Sequence, residues 1–90
     1  MFYVYVLGSK KDGEFYIGST NNLKKRLEEH NSGKVPSTKQ RTPLLLLYYE
    51  SYLAEEDARI RESRLKLRGQ ARYHLVNRLE YTLELFRNKN

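Results

Sequence analysis

The sequence predicts an α+β fold in which a small three-stranded antiparallel sheet is flanked by helices in the order ββαβαα. Three features predict it. Phe2 to Leu7 alternates aromatic and β-branched residues and is followed by Asp12-Gly13, a strong hairpin turn signal. Leu44 to Tyr52 is short, apolar and aromatic, and so reads as a further strand. From residue 53 onward apolar residues recur at spacings of three and four, the period of helices with one buried stripe.

The elements follow in order. Residues 2–18 form a β-hairpin, with Phe15 to Gly18 resuming the strand pattern after the turn. Residues 21–32 form a helix that Thr20, Asn21 or Asn22 can cap, and Gly33 can end it in the left-handed conformation. The segment Lys34 to Pro43 holds both prolines and is a polar surface loop. The strand 44–52 shows no polar alternation at its start, which predicts burial on both faces and a central place in the sheet. Helices over 53–67 and 70–86 complete the chain, separated at Gly69. Ninety residues predict one domain over 1–90 around a single small core.

The chain has no cysteine, which excludes disulfides, thiolate metal sites and cysteine nucleophiles, and permits a reducing compartment. Its longest apolar run, Leu44 to Tyr49, is far below the roughly 20 residues that span a bilayer, and its start lacks the pattern of a signal peptide. A cytoplasmic protein without membrane attachment is expected. Net charge is +6 and unevenly spread. Residues 1–58 carry eight basic and eight acidic side chains, whereas 59–90 carry nine basic and three acidic. That asymmetry suits a polyanionic partner, because each cation placed on a phosphate releases counterions. It equally suits a solvated face that keeps the protein soluble.

Polar residues sit where helices should be apolar. Leu23, Arg26, Leu27 and His30 share one helical face, with Arg26 and His30 stacked one turn apart at the rim of the core. On the next helix, Ala54 and Ala58 step by four onto Glu62 before Leu65 resumes the stripe. Ionised groups are costly to bury unpaired, so Arg26, His30 and Glu62 imply a wet cleft, a mutual ion pair or a ligand pocket. Tyr3, Tyr5, Tyr16, Tyr48, Tyr49 and Tyr52 all suit strand positions, and pattern does not separate packing phenols from chemical ones.

These residues resemble the GIY-YIG nuclease family, and among its members the small stand-alone ones. Tyr16-Ile17-Gly18 matches the second signature intact, while Tyr3-Val4-Tyr5 stands where the family has Gly-Ile-Tyr and keeps its tyrosine. Arg26 and His30 follow Tyr16 at ten and fourteen residues, similar to the family's arginine and histidine, and "DARIRESRLK" resembles the helix that supplies its metal-binding glutamate, here Glu62. The late asparagine of longer members has no secure counterpart, Asn77 being the one internal candidate after Glu62.

The resemblance implies a magnesium-dependent endonuclease acting on DNA, including branched or single-stranded forms, with Tyr5, Tyr16, Arg26, His30 and Glu62 as its catalytic residues. Glu62 would hold a single Mg²⁺ or Mn²⁺, Arg26 would neutralise the phosphate, and Tyr5 and Tyr16 would orient water, one of them as general base. His30 would either relay a proton or hold a tyrosine hydroxyl. Lys34, Lys39, Arg41, Arg59, Arg61, Arg64, Lys66, Arg68 and Arg72, with Arg78 further along, would guide the nucleic-acid backbone without reading bases, leaving specificity to a protein partner. Two other readings remain: a non-catalytic nucleic-acid-binding module, and an interaction domain in which Arg26 and Glu62 only pair with each other.

Overall fold

The computed structural model describes residues 1–88, and its strands begin with Phe2–Ser9 (β1), which is buried from Val4 to Ser9. A turn closed by a hydrogen bond from the Ser9 amide to the Glu14 carbonyl leads into Phe15–Thr20 (β2). The Asn22 side chain caps the helix Leu23–Asn31 (α1) by accepting from the Lys25 amide at 3.1 Å, and Gly33 follows at φ 77°, a conformation that costs glycine little. The loop then carries a short 3-10 turn, Lys39–Arg41, before Leu44–Tyr52 (β3). Helices Glu55–Lys66 (α2), Gln70–Arg78 (α3) and Glu80–Asn88 (α4) follow.

The sheet is antiparallel with the order β2-β1-β3, and this α+β arrangement is the predicted one. The predicted place of the third strand is not. β1 is central and β3 lies at an edge, with Leu45 and Tyr49 exposed. The register between β1 and β3 shifts between Val6 and Leu7, so that Leu47 is an extra residue on β3. Such a bulge changes the phase of alternation, which is why an edge strand shows an unbroken apolar run.

Two layers cover the sheet. Val4, Val6 and Ile17 project to one face and pack with Ala58 and Leu65 of α2 and Leu75 of α3. Tyr5, Leu7 and Leu44 project to the other and pack with Leu23 and Leu27 of α1. Each fully buried side chain of this kind stabilises the fold by about 1.5–3 kcal/mol. α2 starts at Glu55, later than the sequence predicts, and leaves Leu53 exposed.

The single helix expected over 70–86 is two. The Leu79 amide bonds to the Val76 carbonyl and ends α3, while Leu79's own carbonyl accepts from Leu83 and starts α4. The break lets α3 pack on α2 while Phe86 of α4 turns onto Gly8 and Leu47 of the sheet. Among the described residues, no helix is long and apolar enough to cross a membrane.

Candidate active site

The opposing residues Tyr5 and Gly18, and Leu7 and Tyr16, share the sheet face that α1 covers. Tyr5 and Tyr16 therefore lie side by side beneath α1, with ring centroids 6.4 Å apart. The His30 ring completes the cluster, edge-on to both, at 5.7 Å from Tyr5 and 4.9 Å from Tyr16. His30 is fully buried and does not lie at the rim as its helical position suggests. Its Nε2 is 2.8 Å from the Tyr5 hydroxyl, and its Nδ1 is 2.7 Å from Thr38 Oγ1.

These bonds form a directed chain. The Thr38 hydroxyl donates weakly to the Val35 carbonyl at 3.5 Å, which leaves its oxygen to accept from His30 Nδ1–H. Nε2 then accepts from the Tyr5 O–H, an assignment of tautomer made from the network. Burial, and then the nearby Arg26 guanidinium, hold the His30 pKa below its ordinary value, so the ring is neutral at pH 7. Burial pushes the Tyr5 phenol up to about 12 despite the Arg26 guanidinium that faces its hydroxyl; the charges of Tyr16 and Glu62 push the same way as burial.

Arg26 sits above this chain, its side chain 38% exposed and paired with Glu29 at 3.2 Å. Facing Tyr5 is the first cause that keeps its own pKa raised.

Glu62 comes from the other layer. Ser19 lies opposite Val4 and so points toward α2, where its hydroxyl donates to Glu62 Oε1 at 2.7 Å. Lys66 Nζ holds Oε2 at 2.8 Å. Burial opposes ionisation of this carboxyl, but Lys66 and Ser19 outweigh it and keep the pKa below normal. The five residues therefore straddle the edge strand β2, four on the α1 side and Glu62 on the α2 side. Tyr16, Arg26 and Glu62 are the partly exposed members, whereas Tyr5 and His30 are closed off from solvent.

Gly18 permits the approach. A Cβ there would lie 2.5 Å from the Tyr5 hydroxyl oxygen and 2.6 Å from Cζ, and the ring has no room to retreat because His30 holds it in the core. Gly18→Ala is expected to displace Tyr5 from His30 and lower stability by about 1–3 kcal/mol, read as a lower melting temperature.

His30 also ties stability to pH. A depressed folded pKa means that the unfolded chain binds more protons below about 6.5, so the stabilisation is complete above that pH and is lost as pH falls through the folded value. Melting temperature should fall on acidification from pH 7 to 5, and less steeply in His30→Gln.

The predicted cationic residues divide. Arg61 is taken up by Glu50 at 3.0 Å, and Arg41 by Asp12 at 2.8 Å with a further bond to the Phe15 carbonyl, so neither is poised for phosphate. Arg59 pairs with Glu55 at the surface and Lys66 with Glu62. Arg72 lies over the Phe15 ring, and Lys34, Lys39, Arg64, Arg68 and Arg78 are exposed. Asn77 is exposed on α3 and contributes nothing to the cluster.

Thr38 and Ser19 escape sequence reasoning. Thr38 lies in a loop without periodicity, and Ser19 is an ordinary strand residue whose partner is 43 positions away. Asn31 is similar, its amide bonding both the N–H and the carbonyl of Leu44 and so fixing the loop that delivers Thr38.

The family model of the GIY-YIG catalytic domain matches residues 1–74, the stretch that contains every residue of this cluster. The chain belongs to the GIY-YIG family. A UPF0213 protein of Streptococcus pneumoniae is 42% identical over 65 residues, which cover 71% of this GIY-YIG chain and 65% of the relative. The chain thus spans 65% of that relative's length. A UPF0213 protein of Halobacterium salinarum is 38% identical over 72 residues, 79% of this chain and 92% of the relative. The solution NMR structure of a UPF0213 protein from Bacillus halodurans matches with a TM-score of 0.55 and 27% identity, covering 100% of both chains.

Proposed function

We propose that this GIY-YIG domain is a divalent-metal-dependent endonuclease that hydrolyses phosphodiester bonds in DNA with little sequence preference of its own. The observation that carries the reading is the buried Tyr5–His30–Thr38 chain beneath Arg26. Apolar residues of the same volume would fill that space at no cost in desolvation, so a polar chain there suits a catalytic task better than a packing one.

Glu62 fits a hard cation. Among the described residues, no three His, Cys, Asp or Glu side chains group as a metal cage. A single ionised, partly exposed carboxylate accords with Mg²⁺ or Mn²⁺ completed by water and the substrate phosphate. The bound ion would neutralise charge on the phosphoryl oxygens and polarise the scissile group.

Arg26 supplies the fixed positive charge on the α1 side, donating to a non-bridging phosphate oxygen with its planar fork. Burial holds Tyr5 as the neutral phenol, its pKa pushed up to about 12, which suits an orienting group. Its proton points to His30 Nε2 and its buried Oη faces the Arg26 guanidinium, so Tyr5 orients Arg26 for the phosphate and does not itself meet water. His30 acts through Tyr5, since burial keeps it from the substrate. Tyr16, less buried and beside both rings, is the phenol placed to meet water and substrate. Exposed Lys34, Lys39, Arg64 and Arg68 would hold phosphates, contacts that carry no sequence information.

One observation favours a non-catalytic nucleic-acid-binding module instead: both Glu62 oxygens already have partners. Incubation with supercoiled, branched and single-stranded DNA, in Mg²⁺, Mn²⁺ or chelator, separates the two. Metal-dependent cleavage supports the nuclease; retention that weakens with salt, without cleavage in any metal, supports the binding module.

A further inference from the structure

Glu62 is held between two side chains of opposite consequence. Ser19 Oγ donates to Oε1 at 2.7 Å from β2, and Lys66 Nζ pairs with Oε2 at 2.8 Å from the next turn of α2. A glutamate has three side-chain torsions, and without an anchor its carboxylate samples several rotamers. Ser19 removes that freedom and turns one oxygen toward β2. Lys66 places a single positive charge on the remaining oxygen. Its side chain is 54% exposed against 20% for Glu62, and the pair is of the weak i,i+4 helical kind.

We propose that Ser19 and Lys66 are positioning residues for cation capture at Glu62: Ser19 fixes the carboxylate, and Lys66 is a displaceable cap on the oxygen that receives the metal. This rests on the nuclease reading, in which Glu62 is the metal ligand. Partners that orient a ligating carboxylate typically change metal affinity 10- to 100-fold when removed. A weak surface ion pair, by contrast, gives way to a divalent ion at a cost of about two-fold in affinity. On displacement the Lys66 ammonium is free to meet a phosphate beside the same carboxylate.

The test is titration of Mn²⁺ alone into the protein at low ionic strength, following free Mn²⁺ by electron paramagnetic resonance, with melting temperatures to confirm folding. Ser19→Ala should weaken binding about ten-fold, and Ser19→Thr, which keeps the hydroxyl, should restore it. Lys66→Met should tighten binding about two-fold, while Arg64→Met, which removes an equal charge two positions away, should not. Wild-type affinity in both Ser19→Ala and Lys66→Met, or equal tightening by Arg64→Met, overturns the proposal and leaves the metal assignment standing. If the wild type takes up no Mn²⁺, or Glu62→Gln binds as well as wild type, the metal assignment falls and this proposal with it.

Discussion

Arg26→Ala is expected to lower the rate of DNA cleavage by about 10²–10³-fold, the loss typical when one preorganised donor to a developing anion is removed. The fold should register the change only modestly, through the lost contact with the Tyr5 hydroxyl, which keeps its bond to His30. At the surface, Arg26 makes an i,i+3 pair with Glu29 at 3.2 Å whose members are 38% and 31% exposed, worth a few tenths of a kcal/mol. Arg26→Lys should recover little, because an ammonium cannot present two parallel N–H groups to a phosphate. A cleavage time course beside a thermal melt checks both halves. If Arg26→Ala cleaves like wild type, the guanidinium is a surface charge and no more.

Glu50→Ala is expected to be the most destabilising single change outside the apolar core. Its carboxylate accepts from Arg61 Nε at 3.0 Å, from the Tyr48 hydroxyl at 2.9 Å and from the Tyr52 hydroxyl. Burial alone would raise its pKa, yet hydrogen bonds from Tyr52, Arg61 and Tyr48 hold it below normal. Removing the acceptor strands a guanidinium only 27% exposed and two phenols at the junction of β3 and α2. Breaking a fully buried pair costs about 3–5 kcal/mol, and partial exposure reduces that to about 2–3. For a chain of this length the melting temperature should fall by roughly 10–20 °C. Arg61→Ala should fall similarly, and the double variant by less than the sum, because the two share one interaction. Additive losses would mean that the pair does not act as a unit.

The parts of this molecule legible in the sequence are those set by neighbours along the chain. The hairpin, the Asn22 cap and the left-handed Gly33 follow from local preferences. His30 and Arg26 are visible because each interrupts a helical stripe. What those residues touch is not local. Thr38 reaches His30 from an irregular loop where burial has no period to betray it. Arg61 reads as one cation among many until β3 brings Glu50 to it. The bulge at Leu47 hides the alternation that would have marked β3 as an edge. The break at Leu79 has neither glycine nor proline, and the apolar stripe from Leu75 to Phe86 runs through it undisturbed. The cleft, ion pair or ligand pocket expected of Arg26, His30 and Glu62 is likewise not one place, because His30 is buried beneath α1 while Glu62 lies across β2 on the α2 side, bonded to Ser19 and Lys66.

The nuclease reading turns on Glu62 acting through its charge. The most direct measurement is nicking of supercoiled plasmid in saturating Mg²⁺ by wild type and by Glu62→Gln, which keeps the shape of the side chain and an acceptor for Ser19. The wild type should nick, and Glu62→Gln should lose at least about 10²-fold in rate with its melting temperature nearly unchanged. Equal nicking by the two proteins, or a wild type inert in both Mg²⁺ and Mn²⁺, would contradict it.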